Sequence, residues 1–202
     1  MGAVSVAAVG VIGAFSFRSL PVSALTSTWY LTRSAGIVAF LLLWFSVLGG
    51  LLQSTGLLTR VMRPGTATDL HNTVGVWSLY ATTFHMVVLL WDHDTPFTVA
   101  QILVPFVGSY RPLLMALGMI GGYLALLATI SSYFRSRLGP TLWRRLHLLS
   151  LVGFLAALIH GIGAGTDSHD LFGLYAIAGL SVLGFTVYRA YLGVRRNATS
   201  PR

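Results

Sequence analysis

The chain has 202 residues, of which 55% are apolar and only 9% are charged. Soluble domains carry about 25% charged residues, so this composition indicates an integral membrane protein, which we interpret as one domain over residues 1–202. A net charge of +8 would suggest nucleic-acid binding in a soluble protein, but here it predicts topology and no nucleic-acid partner. Cysteine is absent, which excludes disulfides, cysteine-ligated iron–sulfur clusters and covalently attached haem.

Six apolar segments along the chain predict an all-α, six-helix transmembrane bundle with five clear spans and one short N-terminal helix. Residues 2–17 form the short segment, which is either a membrane helix or a cleaved signal peptide. We favour the helix because no positive charge precedes the apolar run. Each of the others has about the 20 apolar residues that cross a bilayer. They are 34–53, 70–91, 111–133, 142–162 and 171–192.

The connections between these segments differ in charge, and this predicts the orientation. Arginines concentrate after segment 34–53, between 111–133 and 142–162, and after 171–192. By the positive-inside rule these connections are cytoplasmic, with both chain ends inside a plasma membrane. Residues 92–110 are too short to span and predict an interfacial segment on the outer face. No internal repeat is evident in the sequence.

Two pairs of histidines lie within apolar segments. His71 and His85 are fourteen residues apart, whereas His147 and His160 are thirteen apart. An imidazole in hydrocarbon is costly and marks a functional site. Both segments run in the same direction, so depth pairs His71 with His147 near the cytoplasmic face and His85 with His160 near the outer face. The pattern favours two stacked, non-covalent b haems, each ligated by one such pair; the alternative is structural histidines bonded to backbone carbonyls.

The angular spacing of the second pair does not fit a straight helix. At about 100° per residue, fourteen residues return to within about 40° of the starting face, but thirteen miss it by about 140°. We therefore expect either a local unwinding near Gly153 or a different approach of the haem to one of these histidines.

Several stretches carry a resemblance to a known family. They are WYLTRSAGIVAFLLLW, LHNTVGVW…TFH, VPFVGSYRPLL and RLGPTLWRRLHLLS…LIHGIGAGTD, within about residues 28–192. The chain resembles the ferric reductase-like transmembrane domain shared by ferric reductases, NADPH oxidases and the haem subunit of the periplasmic methionine sulfoxide reductase system. The resemblance implies haem ligation by four histidines at these spacings.

Two departures bear on the choice among members. The sulfoxide-reductase subunit typically lacks the histidine that stands here at His71. The oxidases carry a further histidine where this chain has Leu89. Reductases and oxidases often continue into a flavin and nicotinamide domain, and we expect none here because no nucleotide-binding glycine motif is present in the required context.

Three functions remain open at this point. The first is an oxidoreductase that passes electrons from a cytoplasmic flavin or flavoprotein through two haems to an outer acceptor such as ferric chelates. The second is an electron-delivery subunit, fed by quinol or flavin, for a periplasmic reductase. The third is a metal transporter, which we favour least because intramembrane carboxylates and broken helices are missing from the sequence pattern.

Charged residues near the segment ends are candidates for auxiliary roles. Arg144 and Arg145 precede His147 and could bind haem propionates or a flavoprotein, and Arg33 could serve the outer haem. For each, the alternative is that the arginine only sets topology. Weaker candidates are Arg63 and Arg111. Outer residues that could gather a cationic acceptor, or be ordinary loop ends, are Asp92, His93, Asp94, Asp167, His169 and Asp170.

Overall fold

The computed structural model describes residues 22–91, 97–165 and 167–199. Within these ranges the chain is helical and has no strand. Residues 2–17, the expected sixth helix, and Asp92, His93 and Asp94 lie outside the described residues. The helices are α1 Val22–Ser54, α2 Pro64–Val88, α3 Val99–Leu103, α4 Pro112–Tyr133, α5 Arg135–Ala164 and α6 Phe172–Thr199.

Five of these helices, all except α3, are long and apolar enough to cross a membrane, which indicates a membrane protein. Some extend beyond the predicted segments: α1 begins at Val22 and not near residue 34. Its first turns carry the buried polar residues Thr28 and Thr32, which lower the local hydropathy without breaking the helix. On the face of α6 that points away from the other helices, Leu180, Leu183 and Val194 are exposed, as they would be on a helix that faces lipid.

The helices pack as two antiparallel pairs, α1 with α2 and α4 with α5. Helix α1 also contacts α5 and α6, so it joins the pairs. On it, the Phe40 ring stacks on Phe154 of α5 at 5.9 Å between centroids and meets Tyr175 of α6 edge-on at 5.1 Å. The buried core around these rings is Leu43, Val47, Leu51, Ala125, Ala178 and Val182.

A glycine bends the chain at the start of α5. Gly139 has φ 71° and ψ 163°, a conformation that residues with a Cβ adopt only at a cost, and Pro140 follows it. The short piece Arg135–Leu138 is thereby turned relative to the apolar part of the helix. The bend keeps this arginine-bearing turn beside the end of α4.

Replacement of Gly139 by alanine should destabilise the fold, because the new Cβ strains the backbone by about 1–3 kcal/mol. Gly65→Ala is the matched control: Gly65 lies in α2 with open space around its Cβ position. We expect a lower thermal unfolding midpoint in detergent for Gly139→Ala and an unchanged or higher one for Gly65→Ala. Equal midpoints would show that the bend is not strained by a side chain.

Candidate functional site

Two cavities lie between the helix pairs, and each is lined by one histidine from α2 and one from α5. The His85–His160 cavity has a volume of about 280 Å³. The His71–His147 cavity has a volume of about 520 Å³. Such volumes fall near or within the range of about 300–1,000 Å³ that is usual for cofactor and small-molecule sites. The structure therefore brings His85 close to His160 and His71 close to His147, which are the pairs predicted from their depth along the helices.

Three of the four imidazoles are held by backbone carbonyls of the neighbouring helix. A carbonyl oxygen only accepts hydrogen bonds, so the Nδ1 atom of each ring must be the donor and Nε2 keeps its lone pair. This is the arrangement that orients and strengthens a metal-ligating histidine. The Nδ1–oxygen distances are 3.0 Å for His71 and Ser46, 2.9 Å for His85 and Thr32, and 2.8 Å for His160 and Leu114.

A glycine follows each of these three acceptor residues by four positions, one helical turn later. The three glycines are Gly36, Gly50 and Gly118. A Cβ placed on Gly118 would lie 2.8 Å from His160 Nδ1, closer than real contacts allow. On Gly36 and Gly50 it would lie 3.0 Å and 3.1 Å from Cε1 of the facing ring. The missing side chains let the imidazoles reach the carbonyls.

His147 is the exception among the four histidines. Its Nδ1 lies 3.4 Å from the Oγ atom of Ser132, which stands where the other three sites have glycine. The Trp143 indole stacks on the His147 ring at 5.3 Å and 25°, and its Nε1 donates to the same Ser132 oxygen at 3.3 Å. This imidazole is therefore held by side chains.

The expectation of an unwound turn near Gly153 is wrong. Gly139, the non-helical residue within α5, precedes both histidines, and Gly153 is helical. A Cβ on Gly153 would lie 3.1 Å from the carbonyl oxygen of Gly121, so this glycine permits close packing of α5 on α4. The odd spacing is accommodated at the side chain of His147.

The structure separates the candidate arginines. Arg33 lines the His85–His160 cavity, pairs with Asp167 at 2.7 Å and lies 4.2 Å over the Trp29 ring. Arg144 lines the His71–His147 cavity, whereas Arg145 and Arg63 line neither cavity. Arg111 donates to the carbonyl oxygen of Gly163.

Two arginines of the His71–His147 cavity were missed in the sequence, namely Arg135 and Arg189. Arg189 lies inside the apolar segment 171–192, and a charge within such a segment was the signal that could have found it. Of the proposed outer acceptor group, Asp167 is engaged by Arg33, while His169 and Asp170 are almost fully exposed. The described members of that group therefore form no common site.

Each cavity presents two imidazoles, which is a donor set that haem iron accepts. The described residues contain no group of three or more metal-ligating side chains. Two imidazoles that share one metal ion at about 2.0 Å each would have ring centroids no more than roughly 6 Å apart. The His71 and His147 centroids are 5.8 Å apart. In the other cavity, the buried Oγ1 of Thr32 has no hydrogen-bond partner and could meet a ligand.

Comparisons of the chain with protein-family models, curated proteins and solved structures found no match.

The hydrogen bonds predict the tautomer of three histidines. In the protein without added cofactor, we expect His71, His85 and His160 to carry the imidazole proton on Nδ1, because each faces a carbonyl that can only accept. Solid-state ¹⁵N spectra of histidine-labelled protein in lipid would measure this, with single His→Gln variants assigning the signals. A majority of the Nε2–H tautomer at these sites would contradict the arrangement.

Proposed function

We propose that the chain is a transmembrane di-haem b-type cytochrome of the ferric reductase-like type, which carries electrons from a cytoplasmic donor to an acceptor on the other side. One observation carries the proposal: each of two cavities receives one histidine from α2 and one from α5. Imidazole pairs are common axial ligands of haem iron in electron transfer, and bound haem supplies one-electron redox chemistry.

The protein's part is to hold ligands, spacing and surroundings. His85 and His160 would bind one haem, and His71 and His147 the other. The carbonyl bonds orient three of the rings and raise the basicity of the ligating Nε2 atoms. Leu43 and Ala125 line both cavities, so a single layer of apolar side chains separates the sites at these points.

The arginines support an orientation and a donor side. Arg135, Arg144 and Arg189 line the His71–His147 cavity, and none forms an ion pair with an aspartate among the described residues. Guanidinium groups of this kind pair with carboxylates, so they are suited to haem propionates and to an anionic flavin or flavoprotein. We assign this cavity to the cytoplasmic side of a plasma membrane, and the other to the side where ferric chelates would be reduced.

The proposal predicts two haems and a defined pairing of histidine variants. Purified protein should contain two b haems per chain by pyridine haemochrome analysis and a reduced-minus-oxidised spectrum. His85→Ala and His160→Ala should each remove the same haem, because both ligands belong to one cavity, and His71→Ala and His147→Ala should remove the other. Colourless protein from cells with ample haem would overturn the function, and loss of the same haem in His71→Ala and His160→Ala would overturn the pairing.

The glycine beside His160 provides a test with a close control. Gly118→Ala should displace the ring from the Leu114 carbonyl and lower haem affinity at the His85–His160 site by about 10–100-fold, as loss of a ligand's supporting hydrogen bond does. Gly49→Ala adds the same methyl where nothing lies within 4 Å, so both haems should remain. The measurement is haem content per site after titration of haem into apoprotein. Equal affinities in the two variants would contradict the role of Gly118.

A further inference from the structure

The His147 site departs from the other three at the carbonyl that should hold the ring. The equivalent acceptor is Ala128, four residues before Ser132, and its carbonyl is within reach of His147 as a hydrogen-bond acceptor. Two serine hydroxyls already donate to this oxygen, Ser131 at 2.8 Å and Ser132 at 3.0 Å. The two hydroxyls therefore compete with His147 for the Ala128 oxygen, which has only two lone pairs.

The Ser132 hydroxyl, which His147 also contacts, is shared with the Trp143 indole. Ser132 donates its only proton to Ala128, so its lone pairs must receive both the Trp143 Nε1–H and the His147 Nδ1–H. The His147 contact is 3.4 Å long, against 2.8–3.0 Å at the three carbonyl sites. A bond that is longer and shared polarises the imidazole less.

The register of the helices explains why the exception falls on His147. The acceptors on α1, Thr32 and Ser46, are fourteen residues apart, and so are His71 and His85 on α2. On α4, Leu114 and Ala128 are again fourteen apart, but the histidines of α5 are separated by thirteen. An antiparallel pair of helices cannot place both histidines equivalently under that mismatch. Because His160 is hydrogen-bonded to the Leu114 carbonyl, His147 lies one residue out of register with the Ala128 carbonyl.

From this geometry we infer that Ser131 and Ser132 are positioning residues that compete with His147 for the Ala128 carbonyl and so raise the reduction potential of the haem that His147 would ligate. The inference depends on the proposed function. A strong Nδ1–H···O=C bond gives an axial imidazole more anionic character, which stabilises ferric over ferrous iron. The competing serines weaken that bond at His147. Arg135, which lies 4.5 Å over the Trp143 ring, helps to keep the competing indole in place.

The test is a potentiometric titration of both haems with a variant that makes this site like the other three. Ser131→Ala combined with Ser132→Gly frees the Ala128 oxygen and removes the Cβ in front of the ring. We expect the potential of the haem lost in His71→Ala to shift to more negative values, while the other haem keeps its potential. The low-spin ferric EPR signal of the shifted haem should change with it, because the ligand field of a more anionic imidazole is stronger.

Two further variants make the result decisive. Ser34→Gly is the matched control, since Ser34 is an exposed helical serine that donates to the Tyr30 carbonyl and contacts no histidine. Trp143→Phe keeps a stacking ring but removes the competing N–H, so it should shift the same haem in the same direction by less. If the serine variant does not assemble, Trp143→Phe alone decides, and an unchanged potential overturns the inference.

Failure of the inference differs from failure of the function. Wild-type protein without two haems would overturn the proposed cytochrome whatever the serines do. With two haems present, the inference is overturned by a positive shift, by an equal shift in Ser34→Gly, or by a change of less than twofold in the redox equilibrium, about 18 mV where tenfold is about 59 mV for one electron. A selective negative shift supports it.

Discussion

The hydrogen bond from a histidine Nδ1 atom to a backbone carbonyl of the preceding helix is the interaction on which the rest of the site depends. It leaves Nε2 pointing away from the helix that accepts the bond, and it requires the two helices to approach closely. That approach is possible because glycine follows the acceptor by one turn, as Gly36 follows Thr32 and Gly118 follows Leu114. Helix pairing, ring orientation and the free ligand atom are thus consequences of one contact.

The same kind of contact occurs in both helix pairs, α1 with α2 and α4 with α5, although their sequences do not resemble each other. Acceptors fourteen residues apart occur on α1 and again on α4, and the residue one turn after each is Gly36, Gly50, Gly118 or Ser132. No internal repeat is evident in the sequence, because the shared features occupy few positions per helix and the acceptors act through their backbone carbonyls whatever the side chain is. Because every residue has a backbone carbonyl, a repeated pattern of carbonyl acceptors does not require the same residue types in the two helix pairs.

Hydropathy and depth were sufficient for the coarse structure. Runs of about 20 apolar residues predicted the five long helices, and the positions of His71, His85, His147 and His160 predicted which histidines line the same cavity. The finer features depend on contacts between helices. The early start of α1, the cavity position of Arg135 and the hydroxyl bridge at Ser132 each require knowledge of the facing helix, which periodicity along one helix does not contain. The predicted unwinding near Gly153 was wrong for this reason, because the missing side chain of Gly153 allows close packing against Gly121.

The two cavities differ in charge, and under the proposed function this difference bears on the direction of electron transfer. Three arginines line the His71–His147 cavity, whereas Arg33 at the other cavity is paired with Asp167. If haems occupy both cavities as proposed, the positive charge and the weakly polarised His147 would both favour an added electron at the His71–His147 site, which would suit uptake from the proposed cytoplasmic donor. Electron transfer from the His71–His147 site to the His85–His160 site would then be less favourable without a membrane potential. In a membrane that is negative inside, however, moving one electron fully outward gains about 2.3 kcal/mol per 100 mV. Under the proposed orientation, the membrane potential therefore offsets the charge asymmetry, and the inner site can capture electrons without retaining them.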